Sequence, residues 1–218
     1  MDDNAWCDIK PNNYDAHASH PNAGQMQILN KIIKEQFELL PKEWRSVSCV
    51  AILGITNGNG LEHVIPCGIG KIIGIDINEA FLNECSERYP DLKSKLSLFQ
   101  LNMMVDIPKV AEVLIDCDVI IANLLIKHIH LVNFIKIVCR LPKRGQTVSC
   151  VIQVNPDGVA IARTGMEHIF DKVSLQREEE NEEMTVDSMD RSGYFLKNRV
   201  VYDVPNAKQF IRLDFIAV

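Results

Sequence analysis

The chain has 218 residues, 47% of them hydrophobic and 24% charged, proportions that fit one folded domain with a sizeable core and exclude a disordered or fibrous chain. Twenty-three basic side chains against 29 acidic ones leave a net charge of −6, so the chain as a whole does not attract polyanions and a nucleic-acid partner is not expected. No apolar run reaches bilayer length, and the start Met1-Asp2-Asp3-Asn4 has neither the cationic nor the apolar zone of a signal peptide; a cytoplasmic protein with no membrane partner is predicted.

The polar stretch from Met1 to Ala23, with Pro11 and Pro21, reads as a loop or arm. A helix is predicted from Gly24 to Leu40, because Met26, Leu29, Ile32, Ile33, Phe37 and Leu40 recur at spacings of three and four, and Pro41 is expected to stop it. From there short apolar runs alternate with helical ones. Val47 to Leu53 reads as a strand, Gly58 to Ile65 as a short helix and Lys71 to Asp76 as a second strand. Asn78 is placed to cap a helix ending at Tyr89 before Pro90. Lys95 to Leu101 reads as a third strand, followed by a helix with Pro108 in its first turn that runs to Ile115, and Asp118 to Ala122 as a fourth strand. A helix from Ile126 to Leu141 and a strand from Gln146 to Val154 complete five βα units. These strands are apolar along their length rather than alternating, the pattern of strands covered on both faces. The rhythm then breaks. After a mixed segment, Leu196 to Asp203 and Gln209 to Ala217 flank the turn Pro205-Asn206-Ala207-Lys208 and predict an antiparallel hairpin. The acidic cluster Glu178-Glu179-Glu180-Asn181-Glu182-Glu183 reads as the solvated start of a helix.

Seven cysteines, an odd number without a Cys-x-x-Cys pair, read as core fillers rather than a redox or metal site, and no metal is expected. Two sites carry more information. The turn Gly54-Ile55-Thr56-Asn57-Gly58-Asn59-Gly60 after the first strand lets backbone N–H groups approach a ligand. Asp76 ends the apolar second strand 22 positions beyond Gly54, where an acid can take two ribose hydroxyls of a nucleoside; the competing reading is a cap on the next helix, a task Asn78 already suits. His17 and His20 have no third ligand nearby and read as exposed loop histidines, while His128 opens a helix near the strand ends, where a helix-packing role is favoured over that of an acid/base candidate.

These two sites and the terminal hairpin resemble class I S-adenosylmethionine-dependent methyltransferases, in particular small free-standing ones acting on small molecules. The resemblance covers Tyr14 to the C-terminus. It implies a Rossmann-like α/β fold, a three-layer αβα sandwich whose seven-stranded, mostly parallel sheet carries an antiparallel last strand. It implies S-adenosylmethionine as cofactor, with Gly54, Ile55, Thr56, Asn57 and Gly58 around its methionine part. Asp76 would hold the ribose, Ile77 would lie beside the adenine, Asn102 would bind the adenine amino group with Met103 against the ring, and Asn123 would face the cofactor. The segment Asp118 to Ile129 is similar to the family's motif after the fourth strand. Residues 1–41 would form an arm and helix acting as a lid, with Tyr14 reaching into the site, and 42–218 the methyltransferase domain, with 155–195 on the acceptor side and Gly165 to Phe170 lining the acceptor pocket. No catalytic residue is assigned; His128, His20 and Tyr14 are the candidates for a base. The chain departs from the family pattern at Ile52, where an acid is usual, and at Thr56, where glycine is usual. A cofactor-binding or interaction protein that has lost transfer is the alternative. A nicotinamide dehydrogenase is disfavoured, because the turn lacks Gly-x-Gly-x-x-Gly and the terminal hairpin is unexpected there. The acceptor and the oligomeric state are not read from the sequence.

Overall fold

The structure is a computed structural model that describes residues 4–43, 47–64, 67–141, 144–155, 161–179, 181–205 and 207–218, with only the backbone described over 39–43. Its centre is a seven-stranded sheet of β1 (Cys49–Leu53), β2 (Lys71–Asp76), β3 (Leu96–Gln100), β4 (Val119–Asn123), β5 (Thr147–Val154), β6 (Tyr194–Val204) and β7 (Lys208–Ala217). The strand order is β3-β2-β1-β4-β5-β7-β6. The pairings among β1 to β5 are parallel, and β7 runs antiparallel to both β5 and β6. The predicted hairpin therefore enters the sheet with its second strand innermost. Ala207 takes a positive φ of 56° in the turn; Asn206 lies outside the described residues.

The unbroken apolar runs follow from coverage on both faces. Along β1, Cys49, Ala51 and Leu53 enter one core cluster, while Val50 and Ile52 enter the other. Successive strand side chains point to opposite faces, so both sets must be apolar. The first face is covered by α4 (Ile107–Leu114), α5 (Ile126–Ile129), α6 (Leu131–Val138) and α8 (Glu182–Arg191), through residues such as Val110, Phe134, Ile137 and Met189. The second is covered by α2 (Gln25–Glu43) and α3 (Glu79–Arg88), through Ile33, Phe37, Leu82 and Cys85. Four of the seven cysteines, Cys49, Cys85, Cys117 and Cys150, are buried in these cores, and all seven are free thiols. In the middle of β2 a Cβ on Gly74 would meet Ile55 Cδ1 at 2.5 Å and Leu98 Cδ2 at 2.7 Å. Gly74→Ala is accordingly expected to cost about 1–3 kcal/mol by overpacking, measured as a lower denaturant midpoint at unchanged slope.

Three expectations are corrected. The segment read as a loop or arm over 1–23 holds a 3₁₀ turn, Ala5–Asp8, and the helix α1, Pro11–Ser19. Its helix signal was weak because only His17 and Ala18 of α1 are buried; Pro11 at the first helical position is the one local cue. The arm is held by Asn78, whose Nδ2 donates to the carbonyls of Trp6 and Ile9, both at 2.8 Å, while its Oδ1 caps α3 by accepting from Ala80 N–H at 2.9 Å. Secondly, α2 continues to Glu43 rather than stopping at Pro41; a proline removes one N–H bond and need not end the last turn, and the side chain of Leu40 lies outside the described residues. Thirdly, the helix expected over Ile126 to Leu141 breaks at His130, whose φ is 68°. Long-range contacts impose this break: His130 Nδ1 lies 3.2 Å from Glu178 Oε1, and the Glu178 N–H donates to the Lys127 carbonyl at 2.8 Å. The acidic run does open a helix, α8, capped by the Asn181 side chain, although Glu178 and Glu179 precede it and Glu180 lies outside the described residues.

Candidate functional site

The sheet order reverses between β1 and β4, and a cavity of about 160 Å³ opens at the C-terminal ends of the strands there. Such a switch point leaves a crevice, because the connections from neighbouring strands leave towards opposite sides. Its walls come from the β1 turn (Gly54, Thr56), the end of β2 (Asp76, Ile77), the segment after β3 (Asn102, Met103), the end of β4 (Asn123) and the arm (Trp6, Tyr14, His17).

The β1 turn and Asp76 form one unit. The N–H groups of Gly54 and Ile55 both donate to the Ile75 carbonyl, at 2.8 and 3.2 Å, which folds the turn back onto β2. Gly54 sits at φ 68°, where a Cβ would lie 3.0 Å from Leu125 Cδ1. Thr56 takes φ 50° without being glycine, a left-handed conformation that costs a β-branched residue about 1–2 kcal/mol. That conformation aims the Thr56 N–H at Asp76 Oδ2, 2.9 Å away, while the Asn78 N–H donates to Oδ1 at 2.9 Å. Asp76 is 6% exposed. Burial raises its carboxyl from 3.8 to about 6, opposed by the backbone donors of Asn78, Thr56 and Ile77. The cap on α3 is made by Asn78, and Asp76 braces the turn while lining the cavity. A carboxylate held this way retains lone pairs for paired hydroxyl donors.

Of the other residues of the turn, Ile55 packs under Gly74, and Asn57 is fully buried with its Nδ2 donating to Asp15 Oδ1 at 2.6 Å. A Cβ on Gly58 would lie 2.8 Å from Cys85 Sγ and Tyr89 Cε2. These three are absent from the described cavity lining. Asn102 is buried, with its Oδ1 accepting the Met104 N–H at 2.9 Å and its own N–H donating to Asp106 Oδ2 at 3.1 Å; Met103 beside it is 4% exposed. Asn123 exchanges two amide hydrogen bonds with Gln36 of α2, at 3.0 and 2.9 Å, which fixes its orientation at the cavity wall.

Tyr14 lies between Trp6 and Phe81 in edge-on contacts at 6.2 and 5.4 Å, and Gln25 Nε2 donates to its hydroxyl at 3.4 Å. Burial pushes its phenol up to about 12, so near neutrality it is a hydrogen-bond donor and not a base. His128 lines the cavity with its ring 4.9 Å from Trp6; burial, then the charges of Lys127 and Arg177, hold it well below the usual histidine range, in the neutral form. His20 is not part of the described lining and serves the turn after α1, its Nδ1 accepting the Asn22 N–H at 3.1 Å. His17 corrects the sequence reading: it is 8% exposed rather than a loop histidine, lies 4.6 Å from Phe170 ring to ring, and pairs with Thr164 Oγ1 at 2.7 Å. The helix over 11–19 that sequence reading missed is what turns it inward. Among the described residues no group of three His, Cys, Asp or Glu side chains is placed to hold a metal ion.

The sequence reading also missed three basic residues in the cavity wall: Lys127 of α5, Arg177 at the end of α7 (Asp171–Gln176), and Lys208, the first residue of β7. Their separation along the chain leaves no local signal for their convergence. The segment 155–195 contributes Ile161, Ala162, Phe170, Val173, Ser174 and Arg177 to the same wall, with 156–160 outside the described residues.

No protein-family model matches the chain, and no curated protein matches it in sequence. Solved structures do resemble it. Magnesium protoporphyrin IX methyltransferase from Synechocystis PCC 6803, determined with bound S-adenosylmethionine, has a TM-score of 0.63 at 10% identity, covering 95% of this chain and 90% of that one. The Burkholderia thailandensis 1,6-didemethyltoxoflavin-N1-methyltransferase, determined with 1,6-didemethyltoxoflavin and S-adenosylhomocysteine, has a TM-score of 0.63 at 12% identity, covering 95% and 88%. The pyocyanin biosynthetic protein PhzM has a TM-score of 0.56 at 16% identity; 96% of this chain matches it, spanning 62% of that chain's length. The likeness is one of fold: the Rossmann-like, seven-stranded sheet of S-adenosylmethionine-dependent methyltransferases, with its antiparallel β7.

Proposed function

We propose that the chain is an S-adenosylmethionine-dependent methyltransferase acting on a small-molecule acceptor. The observation that carries this reading is the buried Asp76 carboxylate at the end of β2, braced by Thr56 and facing the same cavity as Gly54 at the switch point of the sheet. Burial raises its carboxyl to about 6, and acids perturbed in this way within a cleft cluster at functional sites. The residues present fit the cofactor. Asp76 would accept the two ribose hydroxyls, Ile77 and Met103 would flank the adenine, Asn102 would meet its amino group, and Asn123 and Tyr14 would close the cavity. Gly54, Ile55, Thr56, Asn57 and Gly58 would hold the methionine part through their backbone, since the side chains of Ile55 and Asn57 pack away from the cavity. Solved relatives in fold that were determined with the cofactor or its product support the same reading.

When bound, S-adenosylmethionine would supply an electrophilic methyl group on a sulfonium, for displacement by an acceptor lone pair with the thioether as leaving group. The protein's own part is alignment and exclusion of water. Trp6, Tyr14 and Phe170 supply apolar walls, and the arm, fixed by Asn78, covers the cavity. Where the acceptor must lose a proton, His128 is our choice of base on placement, because its unprotonated imidazole lines the cavity, although burial and the neighbouring cations weaken it as a proton acceptor; His20 lies outside the lining, and Tyr14 holds its proton too tightly.

The test is isothermal titration with S-adenosylmethionine, S-adenosylhomocysteine and NAD. Binding of the two sulfur nucleosides without NAD supports the proposal; NAD binding alone, or none of the three, overturns it. Thr56, strained where glycine is usual, supports a second reading in which the cofactor binds but transfer has been lost. Binding together with no methyl transfer to any of a broad panel of small acceptors would favour it.

A further inference from the structure

His17 of α1 lines the cavity, and its ring is fixed on two sides. Nδ1 lies 2.7 Å from Thr164 Oγ1, and the ring packs on Phe170 with centroids 4.6 Å apart and planes tilted by 45°. Thr164 is itself held: its N–H and that of Gly165 donate to Glu167 Oε1, at 2.5 and 3.1 Å, and its Oγ1 accepts the Met166 N–H at 3.3 Å. With one lone pair of Oγ1 taken by Met166, the hydroxyl hydrogen has His17 Nδ1 as its acceptor among the described residues, which leaves the imidazole proton on Nε2. Burial lowers the imidazole from its usual value, opposed by the charge of Glu167 and reinforced by those of Lys208 and His20. Near neutrality the ring therefore carries that single proton. Nε2 makes no hydrogen bond among the described residues, yet it is not one of the sealed polar atoms, which are Trp6 Nε1, Asn57 Oδ1 and Arg212 Nε. With the ring in the lining, it opens on the cavity. An N–H fixed from behind and left without an acceptor beside apolar walls discriminates among ligands, because one that offers no matching atom leaves it unpaired.

We propose that His17 is a specificity-determining residue for the methyl acceptor: its Nε2–H donates to an uncharged carbonyl oxygen or ring nitrogen of that compound, whose apolar body lies against Ile161, Ala162 and Phe170. Thr164 is the positioning residue and acts through Nδ1. The inference rests on the methyltransferase reading for calling the ligand a methyl acceptor; the hydrogen-bonding subsite itself does not. The subsite is composite, since His17 comes from the arm and Thr164 and Phe170 from the later segment. The two are tied a second time by Asn22 Nδ2, which donates to the Arg163 carbonyl at 2.9 Å.

The experiment titrates acetophenone and its carbonyl-free counterpart isopropylbenzene into the protein, alone and saturated with S-adenosylhomocysteine, followed by nuclear magnetic resonance. Acetophenone is expected to bind about tenfold more tightly, the worth of one hydrogen bond in a desolvated site. The nitrogen resonance of His17 Nε2 is expected to move with acetophenone and not with isopropylbenzene, a reading that needs no variant. His17→Phe, which keeps a flat ring, is expected to abolish the preference while leaving S-adenosylhomocysteine affinity within about twofold. Thr164→Val is expected to reduce the preference to about threefold or less, and Thr164→Ser, which keeps the hydroxyl, to preserve it. No binding of acetophenone, equal binding of the two compounds, or a preference unchanged in His17→Phe overturns the inference. So does a loss of S-adenosylhomocysteine affinity in His17→Phe, which would assign His17 to the cofactor. Failure of S-adenosylhomocysteine to bind the parent protein overturns the cofactor reading alone, since titration of the unloaded protein still reads the preference for the carbonyl.

Discussion

Replacing Asp76 with alanine is expected to weaken S-adenosylhomocysteine binding by about 1.5–3 kcal/mol, roughly ten- to 150-fold, the cost of losing hydrogen bonds to a charged acceptor. The carboxylate is buried and already braced by two backbone N–H groups at 2.9 Å, so it cannot swing away and be replaced by water. A pH dependence follows from the same group. Its carboxyl titrates near 3.8 in the unfolded chain and about 6 in the fold. Between those values the native state holds a proton that the unfolded chain has released. Asp76 therefore makes stability fall as pH rises from about 4 to 6, by on the order of 3 kcal/mol. Ligand binding has the opposite sign, because ribose hydroxyls donate to the ionised form. Affinity for S-adenosylhomocysteine is expected to be about tenfold weaker at pH 5 than at pH 7, and that difference to vanish in Asp76→Ala. Titrations at the two pH values decide it; wild-type affinity that does not change with pH, or an alanine variant that binds as tightly, would remove Asp76 from the binding site.

The second large effect concerns stability. Arg212 of β7 is 2% exposed and reaches three partners: Nη1 donates to Glu35 Oε2 and to the Tyr202 hydroxyl, each at 3.0 Å, and Nε lies 3.2 Å from Asp214 Oδ2. The last contact is an ion pair off the N–H direction rather than a hydrogen bond. Asp214 is itself 4% exposed and accepts from Ser149 Oγ at 2.6 Å; Ser149 accepts from Gln36, which also holds Asn123 at the cavity wall. Removing the guanidinium leaves the buried Asp214 carboxyl without its cation. Arg212→Met is expected to destabilise the protein by about 3–5 kcal/mol, whereas Arg212→Met with Asp214→Leu should recover most of that loss, because no uncompensated buried charge remains. Equilibrium guanidinium unfolding of both variants measures the difference. A single variant as stable as the parent would show that the ion pair contributes no net stabilisation.

Local chemistry alone decides the framework. Strands such as Ile72-Ile73 and Val119-Ile120-Ile121 are apolar on both faces because helices cover both, and a run of side chains records that without knowing which helix does so. Gly54 and Asp76 were legible for the same reason: a turn that needs positive φ and an acid ending an apolar strand are peculiarities of a few adjacent residues. Asn78 showed its cap, although not that its amide also tethers the arm.

What the tertiary structure alone decided involves residues far apart in the chain. The break at His130 lies in a segment with helical periodicity and accompanies contacts with Gln176 and Glu178, more than 45 residues further along the chain. His17 reads as an exposed histidine until α1 turns it onto Phe170. Lys127, Arg177 and Lys208 are ordinary surface-type residues in sequence and come to line one cavity because the start of α5, the end of α7 and the start of β7 meet at its rim. Backbone conformation and the burial pattern of an element are written in its own residues, whereas the charge and shape of a cavity are sums over segments that meet only in the folded chain.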